Sequence, residues 1–176
     1  GLNLPAENVI GEPCKRNTAG CLVYAGAQLQ ARYPGQRVIM GVLTSDHQIE
    51  VGPAFRDTLE AAFTAAETQP ALVTIGIRPT RAETGYGYIE TDGERVVSFK
   101  EKPDAETAKR YVAEGRYYWN SGMFCFTAGT FLDELQRCAP DVHAACVAAH
   151  ARATSKKPLR PTLADMSAIP SISVDY

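Results

Sequence analysis

The sequence predicts a doubly wound α/β fold, and three features of its first half support this. Two short, unbroken apolar runs, Val38 to Leu43 and Leu72 to Ile77, are typical of strands buried on both faces. A segment with helical periodicity, Pro53 to Thr68, lies between them, and an earlier helix is predicted from Thr18 to about Arg32. The alternation of helix and strand indicates a mixed, mostly parallel central sheet flanked by helices.

The second half continues the pattern with a predicted hairpin. Strand-like stretches from Tyr86 to Thr91 and from Arg95 to Lys100 surround Asp92-Gly93, a strong turn signal. The other predicted elements are a helix from the Asp104 cap to about Glu114, a strand from Tyr117 to Phe126, helices near Thr130–Arg137 and Pro140–Ala153, a loop at Ser155–Pro158 and a strand-like end at Ser171–Tyr176.

Composition limits the classes of function. The 176 residues are 45% hydrophobic with a formal net charge of −2, which suits one globular domain and gives no basic surface for nucleic acid or an anionic membrane. No apolar run is long enough to span a bilayer. Five cysteines without a C-x-x-C pair argue against a disulfide framework or a zinc site and favour reduced thiols in the cytoplasm.

The polar motif EPCKRNTA, residues 12–19, lies between a short apolar strand (Val9, Ile10) and the first predicted helix. Loops at strand ends are the usual ligand crevice of α/β sheets. The Glu12 carboxylate can accept both adjacent donors of guanine, and Asn17 and Thr18 can contact the base. The same motif also suits a capped helix after a proline turn, so the spacing leaves both interpretations open.

Two aspartates are candidate metal ligands. Asp46 follows the first apolar strand, where its carboxylate would point into the same crevice, and Asp175 lies near the end of the chain. Carboxylate oxygen suits Mg²⁺, a hard cation. The alternative for Asp46 is a common helix cap after a strand.

Three further motifs combine glycine, charge and aromatic residues. The paired glycines of TGYGY (84–88) allow a backbone to approach a ligand closely, although they also suit an ordinary turn. In FKEKP (99–103) a lysine can hold phosphate beside a carboxylate that holds sugar hydroxyls, unless the run is a solvated charged face. In WNSGMF (119–124) buried polar residues need partners, which a sugar can supply, unless the strand is simply bulged.

Taken in order, these motifs resemble the mannose-1-phosphate guanylyltransferases. The runs EPCKRNTA, SDH, TGYGYIE, FKEKPD, WNSGMF and SISVDY cover nearly the whole chain, and EPxxRNTA differs from the Gln-Pro-Gly version of thymidylyl- and uridylyltransferases. The resemblance implies a Rossmann-like nucleotidyltransferase domain over 1–176, with a nucleotide-binding part at about 1–80 and a sugar-phosphate-binding part at about 81–176.

That family uses Mg²⁺ to join GTP and mannose 1-phosphate into GDP-mannose and pyrophosphate. By resemblance, one group of residues would bind the nucleotide, a second would bind the sugar, and a third would hold the metal or act in catalysis. These residues are Glu12, Asn17, Thr18 and Ala19 at the nucleotide, Gly87, Glu101 and Asn120 at the sugar, Asp46 and Asp175 at the metal, and Asp46, Lys102 and Asp175 in catalysis.

Two departures from the family pattern stand out. Lys15 stands where the family usually has glycine, and no G-G-x-G-x-R-L loop, which holds the triphosphate, is present in the sequence. The resemblance therefore implies an internal fragment that turns over poorly alone and exposes apolar sheet surface. Alternative functions are transfer to another sugar 1-phosphate, use of GDP, or an inactive sugar-nucleotide-binding module. Nucleic-acid and membrane partners are not expected, and a homodimer is an open alternative.

Overall fold

A computed structural model describes residues 4–5, 8–50, 52–153 and 161–175. Within these ranges helices and strands alternate at first, three strands follow one another in the middle, and three helices come last. The helices are α1 (Asn17–Arg32), α2 (Pro53–Thr68), α3 (Ala105–Glu114), α4 (Ala128–Cys138), α5 (Pro140–Ala153) and α6 (Leu163–Ser167). The strands are β1 (Ile39–Val42), β2 (Val73–Ile77), β3 (Tyr88–Asp92), β4 (Arg95–Lys100) and β5 (Tyr117–Thr127).

Most predicted elements are confirmed, and the misses are short. The Asp104 side chain accepts a hydrogen bond from Thr107 N at 2.7 Å, so it caps α3 as predicted, and Gly115 ends that helix with a φ of 70°. The predicted strands at Val9–Ile10 and at 171–175 are wrong, because those residues form no strand. Helix α6 was not predicted. The predicted loop at 155–158 and Tyr176 lie outside the described residues.

The strands form one sheet in the order β1-β5-β3-β4, with β2 also paired to β5. The α/β class with a central sheet flanked by helices is confirmed. The sheet is not mostly parallel as predicted, because β2–β5 and β3–β5 are antiparallel, whereas the antiparallel β3–β4 pair confirms the predicted hairpin. The tight turn at Gly93 (φ 59°) forces β3 and β4 to run antiparallel, and apolar periodicity alone carries no information about strand direction.

The chain divides into two compact units, each with its own core. The first unit comprises Gly1–Met40 and Phe126–Val174, and its helices α1, α4, α5 and α6 enclose buried side chains. Val23 and Cys146 are fully buried there, and the Phe126 and Phe131 rings stack at 4.7 Å. Burial raises the pKa of the Cys146 thiol to about 12, so this cysteine is an unreactive packing residue.

The second unit comprises Gly41–Cys125 together with Asp175. Its core lies between α3 and the strands, where buried aromatic rings gather around Ala108. The Tyr111 and Tyr117 rings stack at 4.0 Å, and Tyr88 is fully buried beside them. Because β3 supplies Tyr88 and β5 supplies Tyr117, which pack with Tyr111 of α3, both strands are anchored to this core.

Apolar residues at the ends of the two predicted core strands are exposed. Leu43, Leu72 and Ile77 are 54%, 44% and 43% exposed. The sequence predicted these runs to be buried on both faces, whereas β2 is buried at Ile75 only. The expected apolar surface at the place of a missing strand stays a prediction.

None of the described helices combines the length and the apolar character needed to cross a membrane.

Candidate active site

Three residues predicted to bind the sugar, Gly87, Glu101 and Asn120, come together in the second unit. Gly87 directly precedes β3, Glu101 directly follows β4, and Asn120 lies within β5. Strand β3 lies between β4 and β5 and pairs antiparallel with both. This register gathers residues that are distant in sequence at one end of the three strands.

Gly87 is closely surrounded by the other two. Its carbonyl accepts a hydrogen bond from Asn120 N at 2.8 Å. A Cβ atom at position 87 would lie 3.1 Å from Glu101 Oε2 and 3.6 Å from Asn120 Cβ. The first of these distances is too short for comfortable contact, so a side chain would displace the Glu101 carboxylate. Glycine therefore keeps that carboxylate against an open stretch of backbone.

The Asn120 side chain joins this group to a predicted metal ligand. Its Nδ2 donates to Asp175 Oδ1 at 2.9 Å, and its Oδ1 accepts from Gly122 N at 3.0 Å. Both ends of the amide are thus occupied, which fixes its orientation. Gly122 has a φ of 67°, a conformation that glycine adopts without strain.

Lys102 follows Glu101 in an unusual backbone conformation. Its φ of 36° is in the left-handed region, which non-glycine residues rarely adopt, and such strain is commonest at functional sites. Lys102 Nζ lies 3.6 Å from Glu101 Oε1, and both side chains are more than half exposed. An exposed ion pair of this kind contributes little stability.

The two predicted metal ligands belong to irregular segments. Asp46 is exposed in the connection between β1 and α2, and Asp175 lies in a turn. The described residues contain no group of three histidine, cysteine, aspartate or glutamate side chains placed to hold a metal ion. Magnesium commonly uses one or two protein carboxylates and takes its other ligands from water and phosphate, so two aspartates fit its chemistry. The pair stays a prediction.

At the start of α1, Thr18 and Ala19, which are predicted to bind the nucleotide, form hydrogen bonds with residues 172–174. Thr18 Oγ1 accepts from Val174 N at 2.9 Å and lies 3.2 Å from Ser173 Oγ. Ala19 N donates to Ile172 O at 3.2 Å. Asn17 has a φ of 61°, and its Oδ1 accepts from Thr18 N at 2.9 Å. These groups satisfy the first turn of α1 and seat residues 172–174 on it.

Glu12 lies apart from those contacts, at a small cavity of about 220 Å³. The cavity is mostly apolar, and Cys21 and Tyr24 also line it. Burial raises the pKa of Glu12. Asn17, Thr18 and Ala19 are not among the residues that line this cavity. The four residues predicted to bind the nucleotide base therefore belong to two local structures in the first unit: Glu12 lines the cavity, and the other three form the start of α1.

Arg16, in the same motif, has a role that sequence reasoning missed. Its Nε donates to Met166 O at 3.1 Å and its Nη2 to Ser167 O at 2.6 Å. These carbonyls lie at the end of α6, where helical partners are absent and a cation is favourable. No local pattern could have paired Arg16 with a short helix so distant in sequence.

Comparison with known proteins places this geometry in a class. Residues 4–160 match the nucleotidyl transferase family, and the chain belongs to that family. It is 45% identical over 155 residues to the mannose-1-phosphate guanylyltransferase ManC of Salmonella typhimurium, covering 82% of this chain and 32% of that protein. It is 38% identical over 183 residues to the alginate biosynthesis protein AlgA of Pseudomonas aeruginosa, covering 99% of this chain and 37% of that protein.

A solved structure supports the same fold. The crystal structure of a mannose-6-phosphate isomerase from Helicobacter pylori matches with a TM-score of 0.80 and 29% identity, over 94% of this chain and 65% of that one. The chain spans about a third of the length of the curated relatives it matches. Its family is therefore established from most of its own residues, while its relatives contain much more sequence.

Proposed function

We propose that this chain is part of an enzyme that joins GTP and mannose 1-phosphate to give GDP-mannose and pyrophosphate. The observation that carries the proposal is the grouping of Gly87, Glu101 and Asn120 in a nucleotidyl transferase chain 45% identical to ManC. A carboxylate and an amide are groups that bind sugar hydroxyls. The group therefore suits a sugar better than a purely apolar ligand.

In the proposed reaction, an oxygen of the sugar phosphate attacks the α-phosphorus of GTP and pyrophosphate leaves. The protein needs no nucleophile of its own and contributes positioning and charge neutralisation. Lys102 would approach the sugar phosphate and reduce the repulsion between two anionic substrates. Its exposed pairing with Glu101 leaves it able to exchange one partner for the other.

Asp46 and Asp175 would hold Mg²⁺ through their carboxylates. When bound, the ion would offset the charge that develops on the nucleotide phosphates. The hydrogen bond from Asn120 Nδ2 to Asp175 Oδ1 would hold this carboxylate in place and link it to the residues proposed to bind the sugar. Asn120 would thus serve both the sugar and the carboxylate.

On the nucleotide side, the Glu12 carboxylate would accept the two adjacent donors of guanine. Asn17, Thr18 and Ala19 would contribute chiefly by shaping the loop and the start of α1, because their polar groups already have partners. The cysteine pattern favours a cytoplasmic location, and all five thiols are free. A homodimer stays a prediction, which light scattering would test.

The test is an assay of the full-length gene product with GTP, mannose 1-phosphate and Mg²⁺. We expect equal amounts of GDP-mannose and pyrophosphate. Replacing mannose 1-phosphate by another sugar 1-phosphate, or GTP by GDP, should lower kcat/KM by about tenfold or more. No product, or faster reaction with another sugar phosphate or with GDP, would contradict the proposal.

A further inference from the structure

The loop from Arg81 to Gly87 has no regular secondary structure, yet it is held by a closed set of hydrogen bonds. The buried hydroxyl of Tyr88 accepts from Glu83 N at 3.0 Å and donates to Glu83 O at 2.9 Å. One side chain on β3 thereby satisfies both backbone groups of a residue five positions earlier. These two hydrogen bonds fix Glu83 beside the first residue of β3.

The Glu83 carboxylate holds the middle of the same loop. Its Oε1 accepts from Gly85 N at 3.1 Å, and its Oε2 accepts from Arg81 Nη2 at 3.0 Å. These two donors, with the Gly85 amide the stronger influence, lower the pKa of Glu83. The carboxylate is therefore ionised at neutral pH and fixes the turn that leads into Gly87.

Aromatic contacts seat the loop on β5. The Arg81 guanidinium lies 5.4 Å from the centre of the Trp119 ring, and Tyr86 meets the same ring edge-on at 5.3 Å. Trp119 and Tyr88 are directly paired across the β3–β5 ladder. The loop is thus attached to β3 and to β5, two of the three strands that contain or adjoin the residues proposed to bind the sugar, and it ends at Gly87.

We infer that Tyr88 and Glu83 are positioning residues for the sugar pocket, because they set the place of Gly87 against Glu101 and Asn120. The inference rests on the proposed function. Neither side chain needs to touch the sugar. A loop that is ordered before the ligand arrives lowers the entropy cost of binding, and a small displacement of Gly87 would weaken each contact around it.

Two matched variants of the full-length gene product test this. Tyr88→Phe keeps the buried ring and removes the hydroxyl that grips Glu83. Tyr86→Phe removes a hydroxyl that makes no hydrogen bond to any described residue of the chain. We expect Tyr88→Phe to raise the KM for mannose 1-phosphate about tenfold and leave the KM for GTP within roughly twofold. Tyr86→Phe should leave both constants within the same twofold limit.

A third variant tests the inference if Tyr88→Phe does not fold. Glu83→Ala removes the carboxylate that accepts the hydrogen bond from Gly85 N. This variant should also raise the KM for mannose 1-phosphate without changing the KM for GTP. If both variants fold and keep the wild-type KM for the sugar phosphate, or raise both KM values equally, the inference is wrong.

Calorimetric titration with mannose 1-phosphate separates this inference from the proposed function. An inactive wild-type protein would overturn the proposed function. The positioning role would then be decided by whether Tyr88→Phe weakens mannose 1-phosphate binding about tenfold relative to Tyr86→Phe. A wild-type protein that neither turns over nor binds this sugar phosphate would overturn both.

Discussion

The residues proposed to bind the sugar and those proposed to bind the nucleotide are assembled in different ways. Gly87, Glu101 and Asn120 come from three segments of the second unit and meet because β3 pairs with both of its neighbours. Glu12 and Thr18 belong to one continuous motif of the first unit, yet Glu12 faces a cavity while Thr18 holds the backbone at Val174. Residues that are neighbours in sequence therefore serve different local structures, whereas strand register brings residues distant in sequence together.

This difference gives the two sides different sensitivities. A Cβ atom at Gly87 would lie 3.1 Å from Glu101 Oε2, so added volume there should move that carboxylate and affect ligand binding directly. The start of α1 has its polar groups paired within the protein, so substitutions there should affect stability first. The predictions below test that contrast, in order of expected effect.

Asp46→Ala should have the largest effect, a loss of roughly a hundredfold or more in kcat, because it removes a carboxylate from the proposed magnesium site. Asp57→Ala is the matched control. Asp57 lies on the exposed face of α2, so its replacement should leave kcat unchanged. Steady-state kinetics of the full-length gene product measure both. Near-normal synthesis of GDP-mannose by Asp46→Ala would remove Asp46 from the catalytic group.

Gly87→Ala should raise the KM for mannose 1-phosphate about tenfold, since its methyl group would press on Glu101 Oε2. The KM for GTP should change little. Gly52→Ala is the control, because a Cβ atom there meets nothing within 4 Å. Equal sugar KM values for the two variants would show that the close packing at Gly87 has no role in binding.

Glu12→Gln should reduce the preference for GTP over ATP about tenfold, because an amide offers one acceptor where a carboxylate offers two. The ratio of kcat/KM for the two nucleotides is the measurement. A mannose 1-phosphate KM that stays at its wild-type value would confine the effect to the nucleotide side. An unchanged nucleotide ratio would exclude Glu12 as the reader of the base.

Thr18→Val should have the smallest effect, a decrease of about 1 kcal/mol in the free energy of unfolding, because Val174 N loses its acceptor. Thr64→Val on the exposed face of α2 is the control, since its hydroxyl bonds only to Glu60 O within the helix. Urea denaturation compares the two. A Thr18→Val variant as stable as the control would mean that the seating of residues 172–174 adds no stability.

Local signals predicted much of the fold. The Asp92-Gly93 turn, the Asp104 cap and the apolar periodicity of α2 each depend on residues close in sequence, and each is confirmed. The alternating run at 171–175 was misleading, because its backbone bonds to the start of α1 and joins no strand. Outside the β3–β4 hairpin, the direction of pairing could not be read from the sequence, since a buried apolar run is compatible with both parallel and antiparallel strands.

The candidate site was predictable where a motif carries its own chemistry and less so where packing decides. Gly87, Glu101 and Asn120 were expected from the family resemblance, and the structure gathers them. Glu83 was not singled out, because a glutamate in a polar turn has no distinguishing pattern until its bond to Gly85 is seen. The sequence predicts Tyr88 only as a strand residue, and the fold is needed to show that its hydroxyl forms hydrogen bonds with the backbone of Glu83.

We propose that Gly87, Glu101 and Asn120 form a preassembled binding site for the sugar. The most direct test of this proposal is a crystal structure of the full-length gene product with mannose 1-phosphate bound. The account predicts sugar hydroxyls within hydrogen-bond distance of Glu101 and Asn120, with Gly87 against the sugar and Lys102 near the phosphate. A sugar phosphate bound elsewhere, with these residues unchanged and out of contact, would contradict it.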